Sequence, residues 1–345
     1  LHSPIFTIMI DYRSDTVTKP GKAMLEAISG AKVGDDVFGE DPSVNELQEY
    51  AASLFGMESA LFCPSGTMTN QLAIKCHTQP GDEVICDQSS HIYNYEGGGI
   101  AFNSGCQVRL LCGERGLVNG QQVESAINND DIHKPFTRLV SVENTSNRGG
   151  GSCYELETLT AIRKICDKHQ LAFHLDGARL FNALVEKNQS PKEYGTLFDT
   201  ISICLSKGLG APVGSLLLGS KEIMKKALRF RKVFGGGMRQ AGYMATAGLY
   251  ALKNNIQLLH ADHLRAKEIA EALLKKDFTG KMLPVETNII IFEVTGGFSP
   301  HSLTQHFREH GILIIPFSEN QVRMVLHLDI TTEMVEKTLE TIHHM

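Results

Sequence analysis

A lysine between two core strands is not placed there for solubility. Lys207 lies at the centre of Ser206-Lys-Gly-Leu-Gly210, between the apolar runs Thr200 to Leu205 and Val213 to Leu218, which read as buried strands. Upstream, Leu171-Ala-Phe-His-Leu-Asp-Gly-Ala-Arg179 puts Asp176 and Arg179 just past another apolar run, where site residues collect in parallel α/β sheets. This is the layout of a chain that holds pyridoxal 5'-phosphate on a lysine. Lys207 is then the aldehyde-binding amine and Asp176 the partner of the pyridine nitrogen.

Three further stretches carry chemistry. Cys63-Pro-Ser-Gly-Thr-Met-Thr-Asn70 joins a strand-like run to a helical one beginning at Gln71. Free N–H groups at a helix start, with a hydroxyl and a glycine, can cradle a phosphate. A plain capped turn is the commoner meaning, and neither a nucleoside triphosphate loop nor a dinucleotide glycine turn is present. Paired with Lys207 and Asp176, the cofactor phosphate is the better candidate. Phe234 to Gly242 combines glycines with Arg239 at a helix start, either a turn with a solvated arginine or a second positive contributor to the phosphate, donated by a neighbouring subunit. Ser89 to Gly99 gathers His91, Tyr93, Tyr95 and Glu96 after a strand, which favours an aromatic stacking platform beside an acid/base group. Glu143-Asn144-Thr145 and Arg323, read alone, are surface or edge residues, and His343-His344 a frayed end.

The elements that must position these residues alternate. Seven strand-like runs (Ala60–Cys63, Glu83–Cys86, Val108–Cys112, Leu139–Val142, Ala172–Leu175, Ile201–Leu205, Val213–Leu218) have helical segments between them, which predicts an α/β domain on a mainly parallel seven-stranded sheet flanked by helices. Asp41 with Pro42 marks a helix start. A long helical pattern, Asn255–Lys276, leads into strand and helix runs that read as a smaller C-terminal α+β domain. The expected division is an N-terminal arm over 1–20, a large cofactor-binding domain over 21–255 and a small domain over 256–345.

Composition narrows the class. A hydrophobic fraction of 42% in 345 residues allows a sizeable core, and a net charge of −6 spread along the chain gives no reason to expect a nucleic-acid or anionic-membrane partner. Small-molecule partners are the default. Eight cysteines without a C-x-x-C pair suit packed thiols in a reducing compartment better than a disulfide framework or zinc site, so no metal is expected. No run approaches the roughly 18 apolar residues of a membrane span. Residues 1–8 lack the basic start of a signal peptide and read as a flank before Met9.

Together these residues resemble the threonine aldolases, acetaldehyde-lyases of the aspartate-aminotransferase-like fold. The stretches that carry the resemblance are Arg13-Ser-Asp-Thr-Val-Thr18, Val33-Gly-Asp-Asp to Asp41-Pro42, Ser65-Gly-Thr, Glu143-Asn-Thr, His174 to Arg179, Cys204 to Gly214 and Gly235 to Gln240, in order from Ile10 to the C-terminal region. The resemblance implies Lys207 as the cofactor lysine, Asp176 on the pyridine nitrogen and His91 stacked on the ring. Gly66, Thr67 and Ser206 would hold the phosphate with help from Arg239, and Ser14, Arg179 and Arg323 the substrate carboxylate. His133 and Tyr95 would lie near the substrate side chain, with His91, His133 or a water as base. It further implies cleavage of L-threonine or L-allo-threonine to glycine and acetaldehyde in a cytoplasmic homotetramer with sites at subunit interfaces. Phe38 departs from the pattern, since the family often has tyrosine there. The competing readings are an aminotransferase or β-eliminating lyase on the same fold, and a non-catalytic cofactor-binding protein.

Overall fold

The computed structural model describes residues 9–345; the flank assigned to residues 1–8 lies outside them. Seven strands form the central sheet: β1 (Ser59–Cys63), β2 (Glu83–Asp87), β3 (Gln107–Leu111), β4 (Thr137–Glu143), β5 (Ala172–Gly177), β6 (Thr200–Cys204) and β7 (Ser215–Gly219). Their spatial order is β1-β7-β6-β5-β4-β2-β3. All seven runs expected from sequence are strands, within a few residues at each end. β7 is antiparallel to both of its neighbours, β1 and β6, and the other pairings are parallel. Six strands therefore end on one edge of the sheet, and every candidate stretch around Ser65, His91, Glu143, Asp176 and Lys207 leaves that edge. The central strands β6 and β7 are buried along their whole length, as a sheet covered on both faces requires.

Two apolar clusters lie on either side of residue 260. One, from Met24 to Leu259, includes Phe62, Val140, Phe173 and Ile203 of the large sheet. The other gathers Ala266, Ile290, Phe292, Phe307 and Met324 around a four-stranded antiparallel sheet, into which Ile10 and Tyr12 also pack. The expected arm is thus tied down. Ile10–Asp11 pairs in parallel with Ile312–Leu313, and the hydroxyls of buried Tyr12 and Thr338 lie 2.9 Å apart.

Two element readings are corrected. The single helix expected over 255–276 starts as a 3-10 turn, Ile256–Leu258, before the α-helix Leu259–Leu273. The buried Asn255 amide donates to the Leu209 carbonyl at 2.8 Å, which anchors this break under the Lys207 loop. The strand expected near 312–315 is two short pieces, Ile312–Leu313 and Ile315–Pro316, which pair with different partners.

The Lys221–Val233 helix is fixed by a buried arginine. Arg231 donates to the Phe62 carbonyl at 2.6 Å and to Asp36 Oδ2 at 2.7 Å, joining the helix, β1 and the 35–38 turn. Arg231→Met would leave the Asp36 carboxylate buried without its cation, so unfolding free energy should fall by about 3–5 kcal/mol in urea titration. A loss below about 1 kcal/mol would contradict a structural role for the pair.

Candidate active site

Asp176 closes β5 and Glu143 closes β4, side by side in the parallel ladder. Asp176 is 2% exposed and accepts from Asn70 Nδ2 at 3.0 Å and from the Ala178 N–H at 3.2 Å. The same Asn70 nitrogen donates to Glu96 Oε1 at 2.9 Å, so one amide bridges two buried carboxylates. Its carbonyl oxygen faces His174 Nε2 at 3.2 Å, and His174 Nδ1 lies 2.9 Å from the Thr200 hydroxyl. Burial pushes His174 down to about 4, so this ring behind Asp176 is neutral.

Glu96 also orients His91. Its Oε1 lies 3.0 Å from His91 Nδ1, and Gln71 Nε2 donates to its other oxygen at 2.7 Å. Burial acts to lower the His91 pKa, but the hydrogen bond to Glu96 and the charges of Asp176 and Glu96 outweigh burial and Lys207, and raise it. With Nδ1–H committed to Glu96, Nε2 is the nitrogen left free to exchange a proton. Tyr95 packs against the same ring, centroids 5.6 Å apart.

The expected carboxylate arginines converge. Buried Asp15, next to Ser14, accepts from Arg179 Nε and Nη2, both at 2.7 Å. Burial would push Asp15 up, yet Arg179, Lys207 and Arg323 hold it down to about 2. Arg179 Nη1 and Arg323 Nη1 share Asn147 Oδ1 at 3.4 and 3.1 Å. Arg323 also donates to the Arg13 carbonyl at 3.1 Å, while its buried Nε has no acceptor. Burial and neighbouring Arg179 and Arg148 bring Arg323 down to about 10. Ser14 caps its own short turn, accepting from the Thr16 N–H at 3.2 Å.

The stretch expected to cradle a phosphate is a capped helix start. Ser65 Oγ accepts from the Met68 N–H at 3.2 Å at the start of the Gly66–His77 helix. A Cβ on Gly66 would sit 2.5 Å from Cys204 Sγ at the end of β6, so this helix start lies against the strand that delivers Ser206 and Lys207. The Lys207 carbonyl accepts from the Gly210 N–H at 2.8 Å, and Gly210 has φ +79°, a backbone shape that needs glycine. Lys207 is half-buried and has no ion-pair partner among the described residues, while its charge is felt by Asp15 and His91. A lysine beside a helix start, with a buried carboxylate braced behind it, fits pyridoxal 5'-phosphate in donor set and charge.

Two expected residues are not brought to this cluster within the chain. His133 is 83% exposed, with Nδ1 2.9 Å from Asp131. Arg239 donates to Asp35 Oδ2 at 2.9 Å, beneath the exposed ring of Phe38. Sequence reasoning also placed Glu143-Asn144-Thr145 at the surface; all three are buried. Glu143 accepts from the His91 and Asn147 N–H groups at 2.8 and 2.9 Å, and burial beside Asp176 raises its pKa. Arg323 is partly buried, on a strand that is flanked on both sides in its sheet rather than at the edge. Asn70, Asn147 and Arg148 were missed because nothing local distinguishes them.

A mixed sheet with acids, a lysine and paired guanidiniums on one edge defines an α/β enzyme of the type that binds small charged ligands at strand ends. Residues 11–296 match the model of the family described as beta-eliminating lyase. A low specificity L-threonine aldolase of Escherichia coli K12 is 43% identical over 328 residues, covering 95% of this chain and 96% of its own. Low-specificity L-threonine aldolase 1 of Arabidopsis thaliana is 40% identical over 337 residues, 96% and 94% of the two chains. A solved threonine aldolase structure from Leishmania major aligns with a TM-score of 0.84 at 20% identity, covering 97% of this chain and 99% of that one. The chain belongs to the beta-eliminating lyase family, on the side of its threonine aldolases, and is a lyase.

The raised His91 pKa has a testable source. A raised pKa means the protonated ring is favoured in the fold, with that stabilisation lost as pH rises through the folded value. Glu96→Gln should lower the His91 midpoint measured by proton NMR; an unmoved midpoint would exclude Glu96 as the cause.

Proposed function

We propose that this protein binds pyridoxal 5'-phosphate on Lys207 and cleaves L-threonine and L-allo-threonine at Cα–Cβ, giving glycine and acetaldehyde. The observation that carries the reading is the meeting, at one sheet edge, of a lysine with no ion-pair partner among the described residues, a braced carboxylate and a pair of guanidiniums, Arg179 buried and Arg323 partly so, that share Asn147. The near full-length similarity to low-specificity L-threonine aldolases supports the substrate assignment.

When bound, the cofactor supplies an electron sink for the pair left on Cα. Asp176 would partner the pyridine nitrogen, with the Asn70 amide holding its carboxylate in place. The Gly66 and Thr67 N–H groups and the Ser206 hydroxyl would hold the phosphate. Ser14, Arg179 and Arg323 would hold the substrate carboxylate, with Asp15 fixing the Arg179 plane so that the clamped carboxylate has one orientation, the one that favours cleavage at Cα–Cβ. His91 would pack against the cofactor and take the β-hydroxyl proton at Nε2, with Glu96 stabilising the imidazolium that results. Tyr95 borders the side chain of the substrate. His133 stands only as the alternative base, reached through a neighbouring subunit.

The same reading includes a small C-terminal domain beginning near residue 256, supported by the change of apolar cluster between Leu259 and Ala266. It includes a homotetramer, supported by the exposed Phe38, Phe102 and Val233 side chains and by Arg239, which lies apart from the cradle of its own chain. A cytoplasmic setting is supported by eight free thiols, most of them buried, and a part in glycine formation follows from the proposed cleavage.

Lys207→Ala should abolish the visible absorbance of the lysine-bound cofactor and turnover with it; full activity would sink the assignment. His91→Ala should cost about 10²–10⁴-fold in acetaldehyde release. His133→Ala should cost far less. Product analysis with all four threonine stereoisomers should give glycine and acetaldehyde from the L-isomers, and ammonia as main product would instead indicate β-elimination.

A further inference from the structure

The guanidinium group that sequence reasoning missed touches Tyr95, the residue that the aldolase reading puts beside the substrate side chain. Arg148 Nη1 donates to the Tyr95 hydroxyl at 3.0 Å, and Tyr95 packs on the His91 ring. The Arg148 guanidinium carbon lies 4.2 Å from the centroid of Phe317, and that of Arg323 5.2 Å from the same centroid. Arg323 then returns through Asn147 to Arg179. His91, Tyr95, Arg148, Phe317, Arg323 and Asn147 therefore form a chain of contacts, closed into a circuit by Glu143, which accepts from the N–H groups of both Asn147 and His91.

Charge within this circuit is unbalanced. Asp15 satisfies Arg179, but among the described residues Arg323 and Arg148 meet only neutral oxygens: the Asn147 amide, the Arg13 and Phe317 carbonyls and the Tyr95 hydroxyl. The buried Arg323 Nε has no acceptor among them. Two neighbouring guanidiniums without a carboxylate partner, one of them partly buried, are stabilised by a ligand that brings two negative groups. The substrate α-carboxylate supplies one. The cofactor phosphate belongs to the Ser65–Thr67 helix start, so it does not supply the other.

We infer that Arg148 is a specificity-determining residue that recognises a second carboxylate, on the β-carbon side of the substrate, so that this site takes β-hydroxy dicarboxylic α-amino acids. The inference rests on the aldolase reading for the reaction and on the arginine circuit for the ligand. With 3-hydroxyaspartate, the β-hydroxyl gives up its proton and becomes an aldehyde carbonyl as Cα–Cβ breaks. The bond's electron pair stays on Cα, which takes up a proton. The products are glycine and glyoxylate, with no oxidant or reductant required.

The test compares the wild-type holoenzyme with Arg148→Met, which keeps a packing stem over Phe317, and with Arg148→Lys. Isothermal titration uses L-aspartate and L-2-aminobutyrate, neither of which has a β-hydroxyl to cleave. Wild type should bind L-aspartate at least about tenfold more tightly than L-2-aminobutyrate, Arg148→Met should remove that preference, and Arg148→Lys should restore part of it. The kcat/KM ratio of threo-3-hydroxyaspartate to threonine should fall by a similar factor in Arg148→Met, a ratio that does not depend on the active fraction. Threonine cleavage without any aspartate preference, or with one that ignores Arg148, would overturn the inference while leaving the aldolase reading intact. Arg148-dependent aspartate binding by a protein that cleaves neither substrate would sustain the anion site and overturn the proposed reaction.

Discussion

One side-chain amide orders the site. Glu96 and Asp176 are buried acids that do not hydrogen-bond to one another directly. Asn70 stands between them and gives its nitrogen to both. Its oxygen is thereby turned towards His174, whose ring is held neutral by burial and continues the chain to Thr200 and His77. The acids consequently gather at the strand ends, and neutral hydrogen-bonding groups fill the space behind. The Gly66–His77 helix carries both the capped start at its first residue and this amide one turn later, so the helix start and the bridge between the acids are positioned as one rigid unit.

The guanidinium side of the site is built on the opposite rule. Arg179 is matched by Asp15 in a two-pronged pair, whereas Arg323 is left with neutral acceptors and a lowered pKa. A matched arginine is a fixed strut, and an unmatched one is a demand for an anion. Phe317 and Asn147 keep the unmatched guanidiniums in place without neutralising them, so the site is organised for its ligand before the ligand binds.

Much of the fold was legible because its signals are local. Seven apolar runs of strand length and the Asp41 and Ser65 caps each announce themselves within a few residues. The reversed direction of β7 did not, since a strand buried on both faces has no alternation to read. The helix break at Asn255 depends on a bond to Leu209, far away in sequence. Residue types at the site were legible in the same local way: Lys207, Asp176, His91 and the cradle. Their partners were not, because Asn70–Asp176, Asp15–Arg179 and His91–Glu143 join positions 106, 164 and 52 residues apart. Glu143 illustrates the limit, since an acid ending a strand looks like an edge residue until the neighbouring strand's Asp176 and the two N–H donors are seen.

The first described strand has a consequence for how the protein is made. Ile10–Asp11 precedes the large sheet in the chain, yet its partner Ile312–Leu313 follows that sheet by almost a hundred residues. Asp15 and Arg323 lie close to those same two segments. The large sheet, complete by Gly219, can form while synthesis continues, but Arg323 cannot join Asn147 and Arg179 until its own segment has emerged. Nascent chains therefore carry Lys207 and Asp176 in a formed sheet before the second guanidinium arrives beside them.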